Sequence, residues 1–229
     1  MIFILMMRIK MIKTIPLFAL PIYVVKVDPN SYDKQSIVDT INYNYELDNH
    51  RNEAKTFGNL HHSYNDWENT KFKKIDYKKS GLIDVYNNIF NEWGNQLPTK
   101  KHFNYEYSFE NYTASKKTQY MTPHQHMPSC DFAAVHYIQF EKNKHNPTTF
   151  YNMNDFASYI RDIRPDFHKL VNNKELLNSY LFEEYELSND EDDMIIFPSV
   201  LRHAIRVQEK ECDKIRMTLA TNIKIKDIK

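Results

Sequence analysis

The sequence predicts an α+β chain, mostly β, in which an N-terminal helical flank leads into a sandwich or barrel of short strands. Its 229 residues suit one domain with a substantial core. Apolar residues recur at three- and four-residue spacing over 81–93, the mark of a half-buried helix. From about residue 102 the pattern changes to short apolar segments divided by polar turns, as sandwiches and barrels have.

Residues 1–13 hold a short apolar run followed by Arg8, Lys10 and Lys13. That order is the reverse of a secretory signal, and the run is too short to span a bilayer. These residues read as a frayed or misassigned start, with Met6, Met7 or Met11 as alternative first residues. One domain is therefore expected over 14–229, with a helical scaffold over about 31–100 and a β core over about 102–226. Residues 15–27 end in a β-branched run after Pro21, which predicts a strand. Ser31 or Asp33 is placed to cap a helix carrying Ile37, Val38 and Ile41. Residues 48–76 are polar and irregular and predict loops, with His61 and His62 exposed. In the next helix Leu82, Ile83, Tyr86, Ile89, Phe90 and Trp93 form the apolar face, and Gly94 terminates it. Strands are expected over 103–112, 119–126, 131–140, 193–198, 203–208 and 214–224, while 155–188 predicts a helix or a lid.

Charge and cysteine content narrow the function classes. Thirty basic residues balance thirty acidic ones, which argues against a dominant nucleic-acid or anionic-membrane footprint. Cys130 and Cys212 supply neither a zinc-ligand pair nor a disulfide framework, so a reducing cytoplasm is expected (that of the host cell if the chain is viral). Cys130 reads as a structural thiol. No membrane partner is expected, and the abundance of Lys, Asn, Ile and Tyr reflects an AT-rich genome, as in many phages.

The chemistry concentrates in His124-Gln125-His126, Asp131 and His203. Residues two apart on a strand project to one face, so His124 and His126 present both imidazoles together. Pro128 and Ser129 permit a turn that returns Asp131 at the start of the next strand. On that strand Ala133, Val135 and Tyr137 share the face of Asp131, with Tyr137 offering a hydroxyl to the site, and His136 falls on the opposite, apolar face as a core residue. Near the C-terminus, residues 208–213 read as a polar hairpin turn centred near Glu209 and Lys210, which sets His203 opposite Arg216. A metal-ligating histidine, the Arg216 guanidinium and the Thr218 hydroxyl would then converge, an arrangement that binds a dicarboxylate at both ends. Iron(II) suits two histidines and one carboxylate with open positions left for ligands; zinc suits the same donors without redox chemistry.

At these residues the chain resembles the 2-oxoglutarate- and Fe(II)-dependent oxygenases of the double-stranded β-helix (jelly-roll, cupin-like) superfamily, in particular a compact phage and bacterial group. The resemblance rests on His124-Gln-His126, Val135-His-Tyr-Ile138, Phe197-Pro-Ser-Val-Leu-Arg-His203 and Arg216-Met-Thr218-Leu-Ala-Thr-Asn222, with Pro16-Leu-Phe-Ala-Leu-Pro-Ile-Tyr23 like that group's opening strand. It implies iron bound by His124, His126, Asp131 and His203 or a subset of them. It also implies 2-oxoglutarate held by Arg216, Thr218 and Tyr137, with O2 as the second co-substrate and hydroxylation of a protein side chain, a nucleobase or a metabolite. The substrate mouth falls to 151–188 and the loop before Tyr120. The pattern departs from the superfamily where His126 stands in place of an acidic residue, so either Asp131 completes the ligand set or three histidines bind with Asp131 behind them. Asp192 stands where a glycine is usual. Two other classes compete: a cupin-like metal protein that does not use 2-oxoglutarate, with Arg216 structural, and a non-enzymatic, virion-associated interaction protein.

Overall fold

The computed structural model describes residues 12–17, 20–48, 52–53, 57–63, 71–97, 103–152 and 184–228. Among them, in chain order, lie β1 (Ile12–Leu17), β2 (Leu20–Lys26), α1 (Lys34–Leu47), β3 (His61–His62), α2 (Leu82–Gln96), β4 (Phe103–Ser115), β5 (Met121–His124), β6 (Phe132–Gln139), β7 (Thr148–Tyr151), β8 (Glu184–Glu186), β9 (Asp193–Pro198), β10 (His203–Ile205) and β11 (Arg216–Ile228). A larger sheet runs β1-β2-β9-β6-β11-β4-β3 and a smaller one β5-β10-β7-β8. Every pairing is antiparallel, and β4 to β11 pair as nested couples: β4 with β11, β5 with β10, β6 with β9, β7 with β8. The protein is thus mostly β, with two helices among the described residues. No helix among these residues is long and apolar enough to cross a membrane.

The larger sheet is covered on both faces, which explains why its central strands read as near-continuous apolar runs. Alternation assigns the faces. Met194 and Ile196 of β9, Ala134 and Ile138 of β6, and Met217, Leu219 and Ile223 of β11 pack with α1 and α2 through Ile37, Ile41, Tyr86, Phe90 and Trp93. Ala133, Val135 and Tyr137 of β6 and Ile195 and Phe197 of β9 turn the other way and meet Phe150 of the smaller sheet. The predicted alternation of faces holds from Phe132 to Ile138 and breaks after it, where Phe140 packs with Tyr137 rather than with Ile138. Asp33 caps α1 by accepting from the Ser36 N–H. Gly94 does not end α2, which continues to Gln96, although the Leu97 N–H does bond the Gly94 carbonyl.

Several expectations are corrected. The strand expected after Pro21 is present as β2, and an unexpected strand, β1, pairs with it: Pro16 lies opposite Pro21, and Ile12 and Lys13 pair with Val25 and Val24. Pro is tolerated on such an edge ribbon because it lacks only a donor. His61 and His62 are buried: they extend the larger sheet beside β4, and His61 lies between Asp48 (Nδ1 to Oδ2, 2.7 Å) and the Tyr112 hydroxyl (Nε2, 3.2 Å). His61 is tolerated there because both of its ring nitrogens are partnered. Strands β7 and β8 were not expected; most of 155–188, with its predicted helix or lid, lies outside the described residues. Asp192, where the sequence pattern favours glycine, has φ 67°, a left-handed conformation that aspartate tolerates, and Lys34 Nζ meets its carboxylate at 2.6 Å.

His136 is a core residue as expected, with Nδ1 3.0 Å from the Tyr86 hydroxyl. Burial, aided by Lys34 and Lys26, pushes its pKa down to about 3. The folded protein keeps the ring neutral where the unfolded chain protonates near 6.5, so this contribution to stability is complete above pH 6.5 and is lost as pH falls toward 3. The loss expected at pH 5 is about 2 kcal/mol. Urea unfolding of wild type and His136→Leu at pH 7 and pH 5 reads it: the variant's stability should fall less, and an equal fall in both would refute the assignment.

Candidate metal centre

Three imidazoles converge where the smaller sheet meets the cleft side of β11. His124 ends β5 and pairs directly with His203 of β10. His126 lies just beyond β5, where its N–H bonds the Ser199 carbonyl while the Ser199 N–H bonds the Asp131 carbonyl. The Phe197-Pro198-Ser199 element thus clamps the His-x-His segment, which is why the two motifs belong together. Ring centroids are 4.4 Å apart for His124–His203, 5.2 Å for His126–His203 and 5.5 Å for His124–His126. One ligand atom from each of the three lies within 4.8 Å of the others.

Hydrogen bonds assign the tautomers. Nδ1 of His124 lies 2.9 Å from the Thr122 carbonyl and Nδ1 of His203 lies 2.9 Å from the Leu201 carbonyl. A carbonyl only accepts, so both Nδ1 atoms carry the proton and both Nε2 atoms present lone pairs. Nδ1 of His126 lies 2.7 Å from Asn222 Oδ1, and the same amide donates through Nδ2 to Glu110 at 2.9 Å. The carboxylate fixes which way the amide faces, so His126 also holds its proton on Nδ1. Burial pushes all three pKa values down, His203 furthest, and the mutual proximity of the rings adds to this for His124 and His203. Three neutral imidazoles with their outer nitrogens held and inner lone pairs gathered match a site for a divalent metal of the iron, nickel or zinc kind.

The three imidazoles open on a small cleft of about 30 Å³, walled by Met121, Val135, Ile205 and Ala220 and made polar by Asn111, Thr113, Thr148 and Thr218. Gly58 brings a further loop against β5: it has φ 115°, and a Cβ there would collide with the Tyr120 carbonyl oxygen. The loop's Phe57 ring comes edge-on to His124 at 6.4 Å.

The other predicted site residues divide. Thr218 lines the cleft and exchanges a 2.7 Å hydrogen bond with Thr113. Tyr137 is buried, donates to Thr148 Oγ1 at 2.8 Å and accepts from the Thr148 N–H at 2.9 Å. Arg216 is fully buried: Nε donates to the Asn146 carbonyl at 2.9 Å, and the guanidinium carbon lies 5.3 Å from the Tyr137 ring centre. Its Nη1 and Nη2 have no partner among the described residues, and burial pulls its pKa below the usual arginine value. The hairpin predicted to join His203 to Arg216 is absent. β10 belongs to the smaller sheet, whereas Arg216 pairs with Ser115 in the larger one. Residues 206–215 pass between the sheets, pinned where Gln208 exchanges backbone bonds with Gln119 and Thr118. Asp131 stands outside the histidine cluster. Its Oδ2 accepts from the Ile225 N–H at 2.7 Å and its own N–H bonds the Ile223 carbonyl, so it ties the turn to β11. Cys130 is buried and its thiol pKa is raised by burial, in keeping with a structural thiol. Asn222 and Glu110 were not foreseen; the signal available was the polar residue closing the alternation Arg216, Thr218, Ala220, Asn222.

No protein-family model and no curated protein matches the chain in sequence. Solved structures do resemble it in outline. A prolyl-4-hydroxylase of Pseudomonas putida is 10% identical over 90% of this chain and 93% of its own, with a TM-score of 0.48. The viral collagen prolyl hydroxylase vCPH of Paramecium Bursaria Chlorella virus-1, as its 2OG complex, is 12% identical over 88% and 94%, with a TM-score of 0.45. HygX of Streptomyces hygroscopicus, with nickel and 2-oxoglutarate bound, is 10% identical over 88% and 82%, with a TM-score of 0.44. Likeness of that order carries no function with it.

Proposed function

We propose that this protein is a 2-oxoglutarate- and Fe(II)-dependent oxygenase built on a double-stranded β-helix. The nested couples from β4 to β11 support the fold reading, since a long hairpin wound on itself gives that order. One observation carries the functional reading: a triad of neutral imidazoles and a buried guanidinium with two unpaired nitrogens flank the same strand, β11. Arg216, Thr218, Ala220 and Asn222 occupy alternate positions on its cleft side, each about 7 Å from the next. Asn222 touches His126 at one end and Arg216 stands at the other.

In this reading His124, His126 and His203 hold the metal through Nε2. Iron bound there supplies the redox chemistry that couples 2-oxoglutarate and O2 to succinate, CO2 and a hydroxylated product. Arg216 receives the far carboxylate in a two-nitrogen fork, and Thr218 offers it a hydroxyl. Tyr137 presents its ring face to the guanidinium and bonds Thr148, which lines the cleft. Met121, Val135 and Ile205 keep water from the metal end. The donor set favours one alternative, a metal protein that does not use 2-oxoglutarate, because three histidines without a carboxylate also suit zinc.

Anaerobic addition of Fe(II) and then 2-oxoglutarate tests the proposal. A visible charge-transfer band that appears only with both is expected, and succinate should accumulate on admitting air. Tight metal binding that 2-oxoglutarate leaves spectroscopically unchanged would transfer the protein to the alternative.

A further inference from the structure

The His126 side of the centre differs from the other two. His124 and His203 are held by carbonyls two residues away in their own segments, whereas His126 is held by a side chain from β11. Asn222 is in turn held by Glu110 of β4. The ladder between β4 and β11 is regular up to this point and then slips: Ala220 faces Asn111, but Thr221 faces Phe109, so Glu110 is an extra residue, a β-bulge. Strict alternation would turn Glu110 away from the face of Asn111, which lines the cleft. The bulge re-aims it to the cleft side, where Asn222 can reach it; bulges commonly serve this purpose beside working sites.

We propose that Asn222 and Glu110 are positioning residues for a three-histidine metal centre, Asn222 fixing the ring and tautomer of His126 and Glu110 supplying through that amide the negative charge the ligand set lacks. The inference rests on the metal centre described above, and not on the use of 2-oxoglutarate. Three imidazoles bring no charge to a divalent cation. A carboxylate bonded to the amide that bonds the imidazole polarises both links in the same direction, which strengthens Nε2 as a donor. Direct attachment of a carboxylate to His126 Nδ1 would do this more strongly. The asparagine grades the effect and orders the ring, because the amide, unlike a carboxylate, has a distinct donor end that Glu110 can select.

Cobalt(II) titration of the full-length protein, followed by its visible d–d bands, tests this in five forms: wild type, Asn222→Leu, Glu110→Gln, Asn222→Asp and the double variant Asn222→Asp with Glu110→Gln. Asn222→Leu should bind cobalt 10–100-fold more weakly, the usual cost of removing a ligand's outer partner. Glu110→Gln keeps the hydrogen bond but not the charge, and should lose less while shifting the bands. Asn222→Asp alone sets two carboxylates together and should bind poorly. In the double variant the carboxylate introduced at position 222 accepts from both His126 and the amide introduced at position 110. The charge has then moved one link inward, so affinity should return to wild type or beyond. Unchanged affinity and bands in Asn222→Leu, or a double variant no better than Asn222→Asp, would overturn the proposal even if both variants melt earlier, since merely structural residues predict that pattern. Wild type that binds no cobalt would instead overturn the metal centre itself, and cobalt binding without any response to 2-oxoglutarate would sink only the oxygenase reading.

Discussion

Replacing Arg216 with methionine is expected to leave the metal-free protein as stable as the parent or more stable, and to remove its affinity for 2-oxoglutarate. Most fully buried arginines are paired, and breaking such a pair is costly. Here Nε is bonded to Asn146 and the guanidinium faces the Tyr137 and Phe140 rings, but no carboxylate pairs with it among the described residues, so the desolvation cost of the charge is only partly offset. Methionine follows the same path over the Tyr137 ring without that cost. The change in unfolding free energy should fall between nothing and a gain of roughly 3 kcal/mol. Binding should move oppositely: losing one partner of a buried charge pair costs about 2–5 kcal/mol, which is 30-fold or more in affinity. Arg216→Lys keeps the charge but not the fork, so it too should bind weakly. Calorimetric titration of the metal-loaded protein with 2-oxoglutarate, beside chemical unfolding of the metal-free form, measures both. A strongly destabilised Arg216→Met that still binds the co-substrate would make the arginine a structural one.

His203→Ala should abolish metal-dependent stabilisation. The ring is buried against Phe150 and Phe197, and it is the one histidine that neighbours both of the others closely, at 4.4 and 5.2 Å. Removing it leaves two donors, too few to hold the ion against water. At a metal concentration 100 times the dissociation constant, wild type should gain about 2.7 kcal/mol of stability, and the variant at that concentration should gain none. His145→Ala is the control. His145 is also buried, but it bonds Glu141 and Lys214, and its loss should lower stability with and without metal by equal amounts. A His203→Ala protein that still melts later with metal would show that the ion binds elsewhere.

Much of this arrangement was legible in the sequence because alternation is local. The two faces of β6, the apolar stripe of α2 and the pair His124 and His126 each follow from spacing within a few residues. What failed was long-range. The hairpin between His203 and Arg216 followed from the tendency of consecutive strands to pair. Here residues 206–215 cross between sheets, and the choice is made by Gln208 against Gln119, a contact no local pattern encodes. Asp131 sits at ligand spacing yet serves the backbone of β11, because a carboxylate at a turn can satisfy an amide as readily as a metal. Glu110 was hidden for a related reason: alternation assigns it to the wrong face, and only the bulge, a property of two strands together, reverses that.

The nesting of β4 with β11 bears on how the chain matures. Arg216 pairs with Ser115, on the order of a hundred residues earlier, and such distant pairings close slowly. His203 and Asn222 are synthesised long after His124 and His126, so a chain still emerging from the ribosome has two imidazoles but neither the third nor the clamp on the second. Until the last two strands dock, the three imidazoles are not gathered, so under the proposed function metal loading would report that folding is complete.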